Sequence, residues 1–482
     1  MIEFILQNAD YVSFLYGVSS LLLLFVCSIV MKETHSRLKW KYLLAFAFFQ
    51  FLTQLVDILF FEYQHQRSIS TIILFLKVIA FVFLFIFGYQ GLELYSEKKW
   101  YKKIFPVIFC FFSIGLLYSK DAIYFSANLC ILLPAGIMAA VAIYLKAKKH
   151  VKTERRQLYL VSFSFLAYSF ISVSFSILYL SKFYQRFVLI NSEILKTLCL
   201  TLISVNLWRF YTLSTCKESG TEIIYKKLIR QSNFFTFIIL IILGTGFFFT
   251  NNVEKNKRDY LDLKISETAK IVSNTISIER IKSLKGSIED LANQDYLIIK
   301  KQMAKITEKL KNYRFMYLCQ MDPNGTIRFL VDSEPEDSPD CSHPGDKYED
   351  APEELKKVFL EKKNYIVSYT DKWGNWRSIF EPIVDERGDI IAVLGIDSSL
   401  ILLEKEIRNS RQIPMLITFI FILLFISLIY LENKNFDTNL INQKNQACFK
   451  AVFESSPYAI FIFDINGTLI DCNGKASVLT KY

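Results

Sequence analysis

FMYLCQMDPNGTIRFLVDSEPEDSP, residues 315–339, contains the change of period on which the fold turns. Upstream, residues 255–313 read largely as helix. Leu297, Ile298, Met303, Ile306 and Leu310 recur there at three- and four-residue spacing among lysines and glutamates. From Phe315 the period shortens. FMYLCQM and TIRFLVD flank Asp322-Pro-Asn-Gly325, a turn signal, and predict a β-hairpin. After Asp332 the chain turns acidic and proline-rich and leaves the sheet as a loop. APEELKKVFLEKK predicts a short helix, with proline near its start and acids in its first turn. NYIVSYT, WRSIFEPIV and DIIAVLGID predict three more strands, joined by WGNW and DERGD. The α+β solution for this order is one antiparallel sheet of five strands with helices packed on it.

Around this segment the chain changes character. Of its 482 residues 52% are hydrophobic, and the apolar residues gather in runs. Runs of ~20 apolar residues are long enough to span a bilayer as helices. Seven such helices are expected before residue 210, at 11–31, 42–61, 71–95, 104–118, 122–145, 158–180 and 187–208. Two more are expected at 234–250 and 414–431. The net charge of +10 does not point to nucleic acid, because the basic residues sit in short loops between apolar runs. Basic-rich loops carry Lys32, Arg37, Lys39 and Lys41; then Lys98, Lys99, Lys102 and Lys103; then Lys146, Lys148, Lys149, Lys152, Arg155 and Arg156; then Arg209, Lys217, Lys226, Lys227 and Arg230. The loops between them hold only Arg67, Lys120, and the pair Lys182 and Arg186. The alternation predicts an outer N-terminus, residues 209–233 inside, residues 251–412 outside and an inner C-terminus. MIEFILQNAD lacks a basic n-region, so the first run is expected to be a retained helix.

The expected organisation follows. Residues 1–210 form a seven-helix membrane sensor module and 211–233 a cytoplasmic linker. Helix 234–250 leads out to a domain at 251–412, and helix 414–431 leads back. A polar helix, ENKNFDTNLINQKNQACFK, occupies 432–450 and carries a signal inward.

Within the outer segment, ISIERIKSLKGSIEDL, DYLIIKKQM, FLVDSEPEDSP with PGDKYEDAPEEL, YTDKWGNWRSIFEPI and AVLGID follow in order. On these residues the stretch from Ser273 to Ser398 resembles the sensor domains of the Cache class, PAS-like folds of bacterial sensor kinases and related receptors. The resemblance implies a ligand held between the sheet and its covering loop and helix. The candidate residues are Tyr317, Asp332, Trp376, Ser378 and Asp397. Trp376 and Ser378 fall on one strand face, Arg377 and Ile379 on the other. An aromatic wall with a few placed polar groups suits a small organic ligand. The alternative for each residue is ordinary core packing, with Asp397 ending its strand as a cap. The acidic loop carries Asp332, Glu334, Glu336, Asp337 and Asp340. It reads as a solvated surface, or else as a lid or cation site with hard oxygen ligands. No metal is assigned to it.

In the bundle, Gln50, Gln54 and Asp57 share one helical face. Lys77 lies at comparable depth on the next helix, which predicts an Asp57–Lys77 pair. Asn191, Glu193, Lys196 and Asn206 mark the seventh helix. Such groups serve function or act as interhelical glue. With Tyr16-Gly17 in the first helix, the outline is similar to multi-helix N-terminal sensor modules of bacterial signalling proteins, with small residues largely replaced by Phe and Leu.

AVFESSPYAIFIFDINGTLIDCNGKASVLTKY, residues 451–482, resembles the start of a PAS domain: a cap, a strand, an NG turn, a second strand and a helix start at Asn473. So short a piece of sheet is not expected to be stable alone. His35, His65, His150 and His343 are the four histidines, and none lies on a cytoplasmic helix beside an acid. Neither a glycine-rich nucleotide loop nor a GGDEF-type turn nor a CxxC pair occurs. No catalytic residue and no cofactor is therefore expected in this chain. Cys27, Cys110, Cys130 and Cys199 behave as small hydrophobes, and Cys319 and Cys341 are candidates to pair if exported.

The resemblances imply a multi-pass receptor of a bacterial inner membrane, the input half of a sensor histidine kinase. Its expected partners are a small-molecule ligand outside the cell, the lipid bilayer, a second copy of the chain and a response regulator. ATP and Mg are expected only for a kinase part. The alternatives are the input half of a diguanylate cyclase and a transporter with an external binding domain, although no inverted repeat or Gly/Pro-broken helix pair is evident.

Overall fold

The computed structural model describes residues 8–31, 38–59, 67–96, 125–180, 185–219, 222–310 and 312–480. They form two compact units, Met1–Ile242 with Thr418–Tyr482, and Leu243–Ile417.

The first unit is helical because its apolar runs are too long and too continuous for strands. Its helices are α1 (Ala9–Val30), α2 (Lys41–Leu59), α3 (Arg67–Tyr95), α4 (Leu133–Ala147), α5 (Lys152–Leu180) and α6 (Gln185–Ser219). A π-helical turn, Ala127–Leu132, precedes α4. Each helix packs on the next, and α6 packs back on α1, so the six close a ring. The expected helix at 104–118 lies outside the described residues, as do His35, His65 and the loop bases Lys32, Arg37, Lys98, Lys99, Lys102, Lys103, Lys120 and Lys182.

Small residues set close crossings, which the abundance of Phe and Leu had concealed. A Cβ on Gly88 of α3 would lie 2.6 Å from the backbone nitrogen of Ala139 in α4, and Gly91 abuts Ala142 in the same way. Gly136 of α4 faces Ser169 of α5 with no room for a side chain. Ser162 Oγ of α5 donates to the Ala140 carbonyl at 2.8 Å. Such contacts let helix backbones approach closely. Gly88→Val is expected to destabilise the chain by about 3 kcal/mol, the upper end of overpacking costs, because the obstacle is backbone that cannot rotate away. Gly244→Val, with nothing within 4 Å of its Cβ, is the control. Thermal unfolding in detergent compares the two, and equal midpoints would refute the crossing.

Seven helical stretches among the described residues are long and apolar enough to cross a membrane: Ala9–Val30, Lys41–Ile58, Ser68–Tyr95, Ala127–Ala147, Lys152–Ser174, Asn233–Thr275 and Leu400–Glu432. The expected span at 187–208 is helical within α6, with Asn191, Glu193, Lys196 and Asn206 among its apolar residues.

Two helices outrun the expected boundaries. α7 (Glu222–Thr275) continues unbroken through residues 234–250, and α11 (Leu400–Ser455) through 414–431 and 432–450. Gly244 and Gly246 lie within α7 without ending it. Pro414 lies inside α11, where it removes one intrahelical hydrogen bond. In the second unit α7 and α11 are tied by ion pairs. Arg411 meets Glu254, Arg258 Nη1 lies 3.2 Å from Glu404 Oε1, and Lys257 Nζ 3.2 Å from Glu406 Oε2.

The second unit continues with α8 (Ile278–Lys282), α9 (Gln294–Lys309), β1 (Phe315–Met321), β2 (Ile327–Asp332), α10 (Glu353–Glu361), β3 (Tyr365–Asp371), β4 (Gly374–Val384) and β5 (Ile390–Ser399). The five strands form one antiparallel sheet in the order β2-β1-β5-β4-β3. The DPNG turn closes the first hairpin as expected. Gly325 takes φ +80, and its N–H donates to the Asp322 carbonyl at 2.8 Å.

Side-chain alternation gives the sheet two buried faces. On one, Met316, Leu318, Ile379, Leu394 and Ile396 pack against Tyr296, Ile299 and Met303 of α9 and Ile265, Ala269 and Val272 of α7. On the other, Phe315, Tyr317, Cys319, Phe329, Trp376, Phe380 and Val393 pack under Tyr348 and the α10 residues Leu355 and Val358. Cys319 and Cys341 do not pair. Cys319 is buried in the second face, while Cys341 Sγ lies 3.7 Å from Lys300 Nζ.

After α11 come β6 (Phe461–Phe463), β7 (Leu469–Cys472) and α12 (Gly474–Thr480). Asn473 binds this segment together. Its Oδ1 accepts from the N–H groups of Ile460 and Ala476, both at 3.0 Å, and its Nδ2 donates to the carbonyls of Phe453 and Tyr458, both at 2.9 Å.

Candidate functional site

The second face of the sheet gathers most of the expected residues. Tyr317 of β1 lies over Gly395 of β5, where any Cβ would strike its ring. The glycine lets Tyr317 Oη reach Asp397 Oδ1, to which it donates at 3.3 Å. Tyr369 of β3 donates to the same oxygen at 3.5 Å. Tyr348 Oη lies 2.8 Å from Tyr369 Oη and donates to Asp371 Oδ2 at 3.3 Å. Trp376 Nε1 donates to Asp371 Oδ1 at 2.8 Å. That carboxylate also accepts from the N–H groups of Trp373 and Gly374, at 2.9 and 3.0 Å, and so fixes the β3–β4 turn. Ser378 stands across the ladder from Asp397. Its hydroxyl makes no hydrogen bond of good geometry, yet it is near enough to favour the ionised form of Asp397.

Aromatic rings wall this chain of hydroxyls and carboxylates. Phe329 stacks on Tyr348 at 4.8 Å, Trp373 meets both at about right angles, and Phe315 meets Trp376 edge-on at 5.1 Å. Burial dominates the electrostatics. Asp397 is 2% exposed, and burial pushes its carboxyl up to about 7; Asp371 adds to the rise, while Ser378 and Tyr317 oppose it. Tyr317, Tyr348 and Tyr369 are all raised, by burial first and then by neighbours that include Asp397.

Asp332 also braces the acidic loop. It neighbours Tyr317 on the ladder, but its oxygens accept from the loop N–H groups of Glu334 at 3.0 Å and Ser342 at 2.8 Å. It therefore holds the two ends of the acidic loop together. Burial raises this carboxyl too. Basic side chains engage the loop further. Arg314 bonds Glu334 at 2.5 Å and Asp340 at 3.1 Å, and Lys300 Nζ donates to the Asp332 carbonyl at 3.1 Å. Glu336 and Asp337 are exposed. No group of three metal-ligating side chains occurs among the described residues.

Tyr348, Tyr369, Asp371, Trp373 and Phe329 belong to the site but were not foreseen. YTDKWGNW reads as a strand end and a turn. The pairing of Tyr369 with Trp376 across β3 and β4 places its aromatic residues on the same face.

The polar residues of the first unit also converge. Gln50 Nε2 donates to Tyr16 Oη at 3.0 Å, and Tyr16 Oη lies 2.8 Å from Tyr168 Oη. Ser13 Oγ donates to Glu193 Oε2 at 2.6 Å. Asp57, Lys77 and Lys196 are close enough to Glu193 to act on its charge.

Residues 447–482 match the family model described as PAS domain. No curated protein and no solved structure matches the chain.

Proposed function

We propose that this chain is the input part of a membrane signal receptor, in which the sheet unit is a Cache-like sensor outside the cell and the PAS-matching segment receives its signal inside. One observation carries the reading: α11 begins at the residue after β5 and runs as one helix to Ser455, inside the PAS-matching stretch. Asp397, at the buried centre of the site, lies three residues before that helix. A shift of β5 therefore has a continuous helical path through an apolar span to the PAS segment. The outward faces of the helices, with Phe75, Phe163, Phe237 and Phe248 largely exposed, suit lipid contact.

The ligand this site favours is a small organic molecule with a cationic group. Its partner is Asp397, whose carboxylate accepts from hydroxyls among the described residues, and the surrounding rings favour a cation. A binding event moves the receptor only by its differential affinity for the two states. Dimerisation, a histidine kinase output with ATP, Mg and a response regulator, and the alternative cyclase output are analogies to receptors of this architecture.

Labelling of intact cells with a membrane-impermeant maleimide tests the topology. In a chain with exposed Cys448 replaced by serine, Asp346→Cys is expected to label and Asn445→Cys to label only after lysis. Equal labelling of both positions would overturn the reading.

A further inference from the structure

The helical ring brings polar groups from five helices to one place. Ser13 and Tyr16 come from α1, Gln50, Gln54 and Asp57 from α2, Lys77 from α3, Tyr168 from α5, and Glu193 and Lys196 from α6. The hydroxyl and carboxylate bonds already described satisfy part of this cluster. Among the described residues of this cluster, two acceptors remain. Gln50 Oε1 and Gln54 Oε1 are buried with no hydrogen-bond partner, in residues only 2% and 1% exposed. Four residues apart, they lie one turn from each other on one face of α2. Gly17 of α1 stands opposite, where a Cβ would come within 3.3 Å of Gln54 Cβ. Buried amide oxygens are normally satisfied, and leaving two unmet in one place is costly.

We infer that Gln50 and Gln54 form a binding site in the helical ring for a neutral hydroxyl donor of the phenol and quinol class. The orphaned atoms are both acceptors, so the guest must donate. Two carboxylates, Asp57 and Glu193, stand near two ammonium groups, Lys77 and Lys196. A charged guest would unbalance them among apolar helices, at high cost. Aromatic surfaces adjoin the site at Tyr16 and at Tyr168, whose ring meets Phe46 edge-on at 6.2 Å. An aromatic ring bearing O–H groups matches both features. The cost of a charged guest and the route of entry from the bilayer rest on the membrane reading, which maleimide labelling tests separately.

The probes are durohydroquinone and duroquinone, added to the full chain in lipid nanodiscs. They share ring and methyl groups, but the quinone has carbonyl acceptors in place of O–H donors. The quinol is expected to raise the unfolding midpoint by several degrees and the quinone to leave it unchanged. Gln50→Leu and Gln54→Leu should each reduce the quinol shift, and the double variant should abolish it while remaining folded. Gly17→Ala, which crowds the same place, should also reduce it. Equal shifts from both probes would mean unspecific partitioning and would overturn the proposal. So would no quinol shift in the unmodified chain, even if the leucine variants proved more stable, because the oxygens would then be hydrated or merely tolerated. Equilibrium dialysis of both probes against the unmodified chain decides the matter if the variants fail to fold.

Discussion

Arg411→Met is expected to destabilise the paired segments of α7 and α11 by about 3 kcal/mol, the lower end for breaking a buried ion pair by removing one partner. Arg411 is 2% exposed and pairs with Glu254, which also has Arg258 Nη2 at 3.5 Å. The remaining bond to Arg258 and the partial exposure of Glu254 keep the loss from being larger. Arg411→Lys should recover only part of it, since an ammonium lacks the planar fork of the guanidinium. Adding Glu254→Gln to Arg411→Met should restore most of the stability, because no uncompensated charge is then left. Hydrogen exchange of residues 243–262 and 400–417 measures the effect. Unchanged protection in Arg411→Met would show that the pair does not hold these helices together.

The second large effect is a pH dependence centred on Asp397. Its folded value of about 7 stands above the ordinary 3.8. The folded state therefore keeps the proton longer than the unfolded chain does. The associated stability is fully present below about pH 4, is lost progressively as pH rises towards 7, and is gone above it. At 1.36 kcal/mol per unit, the loss is on the order of 4 kcal/mol. Asp397→Asn should remove this slope. The variant should match the unmodified chain near pH 4 and be more stable by a similar amount near pH 8. Asp332, also raised by burial, would add a slope of the same sign. Exchange protection of the β1 and β5 amides, corrected for intrinsic pH effects, reads the difference. An identical pH profile in Asp397→Asn would show that the carboxyl is not the group responsible.

The five strands and the short helix before β3 were legible because a strand declares itself by its local period and a turn by a few residues. The DPNG turn and the Asn473 helix start are of this kind. The site was legible in part. Trp376 and Ser378 were recognisable as residues of one strand face, and Tyr317 and Asp397, named with them through the resemblance, lie on the same face of the sheet. Asp332 stands across the ladder from Tyr317 but bonds the amides of its own loop, because a carboxylate at a strand end suits both. The loop amides are fixed by the chain itself and lie close to the carboxylate. Tyr348 and Tyr369 entered the site through strand register, which residue type alone does not reveal.

In the helical part, composition alone identified the apolar segments and the polar residues that interrupt them. It gave no sign that α6 closes a ring onto α1, or that Gly88 and Gly136 sit at crossings with no room for a side chain. Ser13 meets Glu193 across 180 positions, and Glu254 meets Arg411 across 157. Periodicity, turns and hydropathy are properties of neighbouring residues, so the order of amino acids determines them directly. Which hydroxyl reaches which carboxylate depends on strand register, helix crossing and the absence of a Cβ at a few glycines, and only the packed chain decides these.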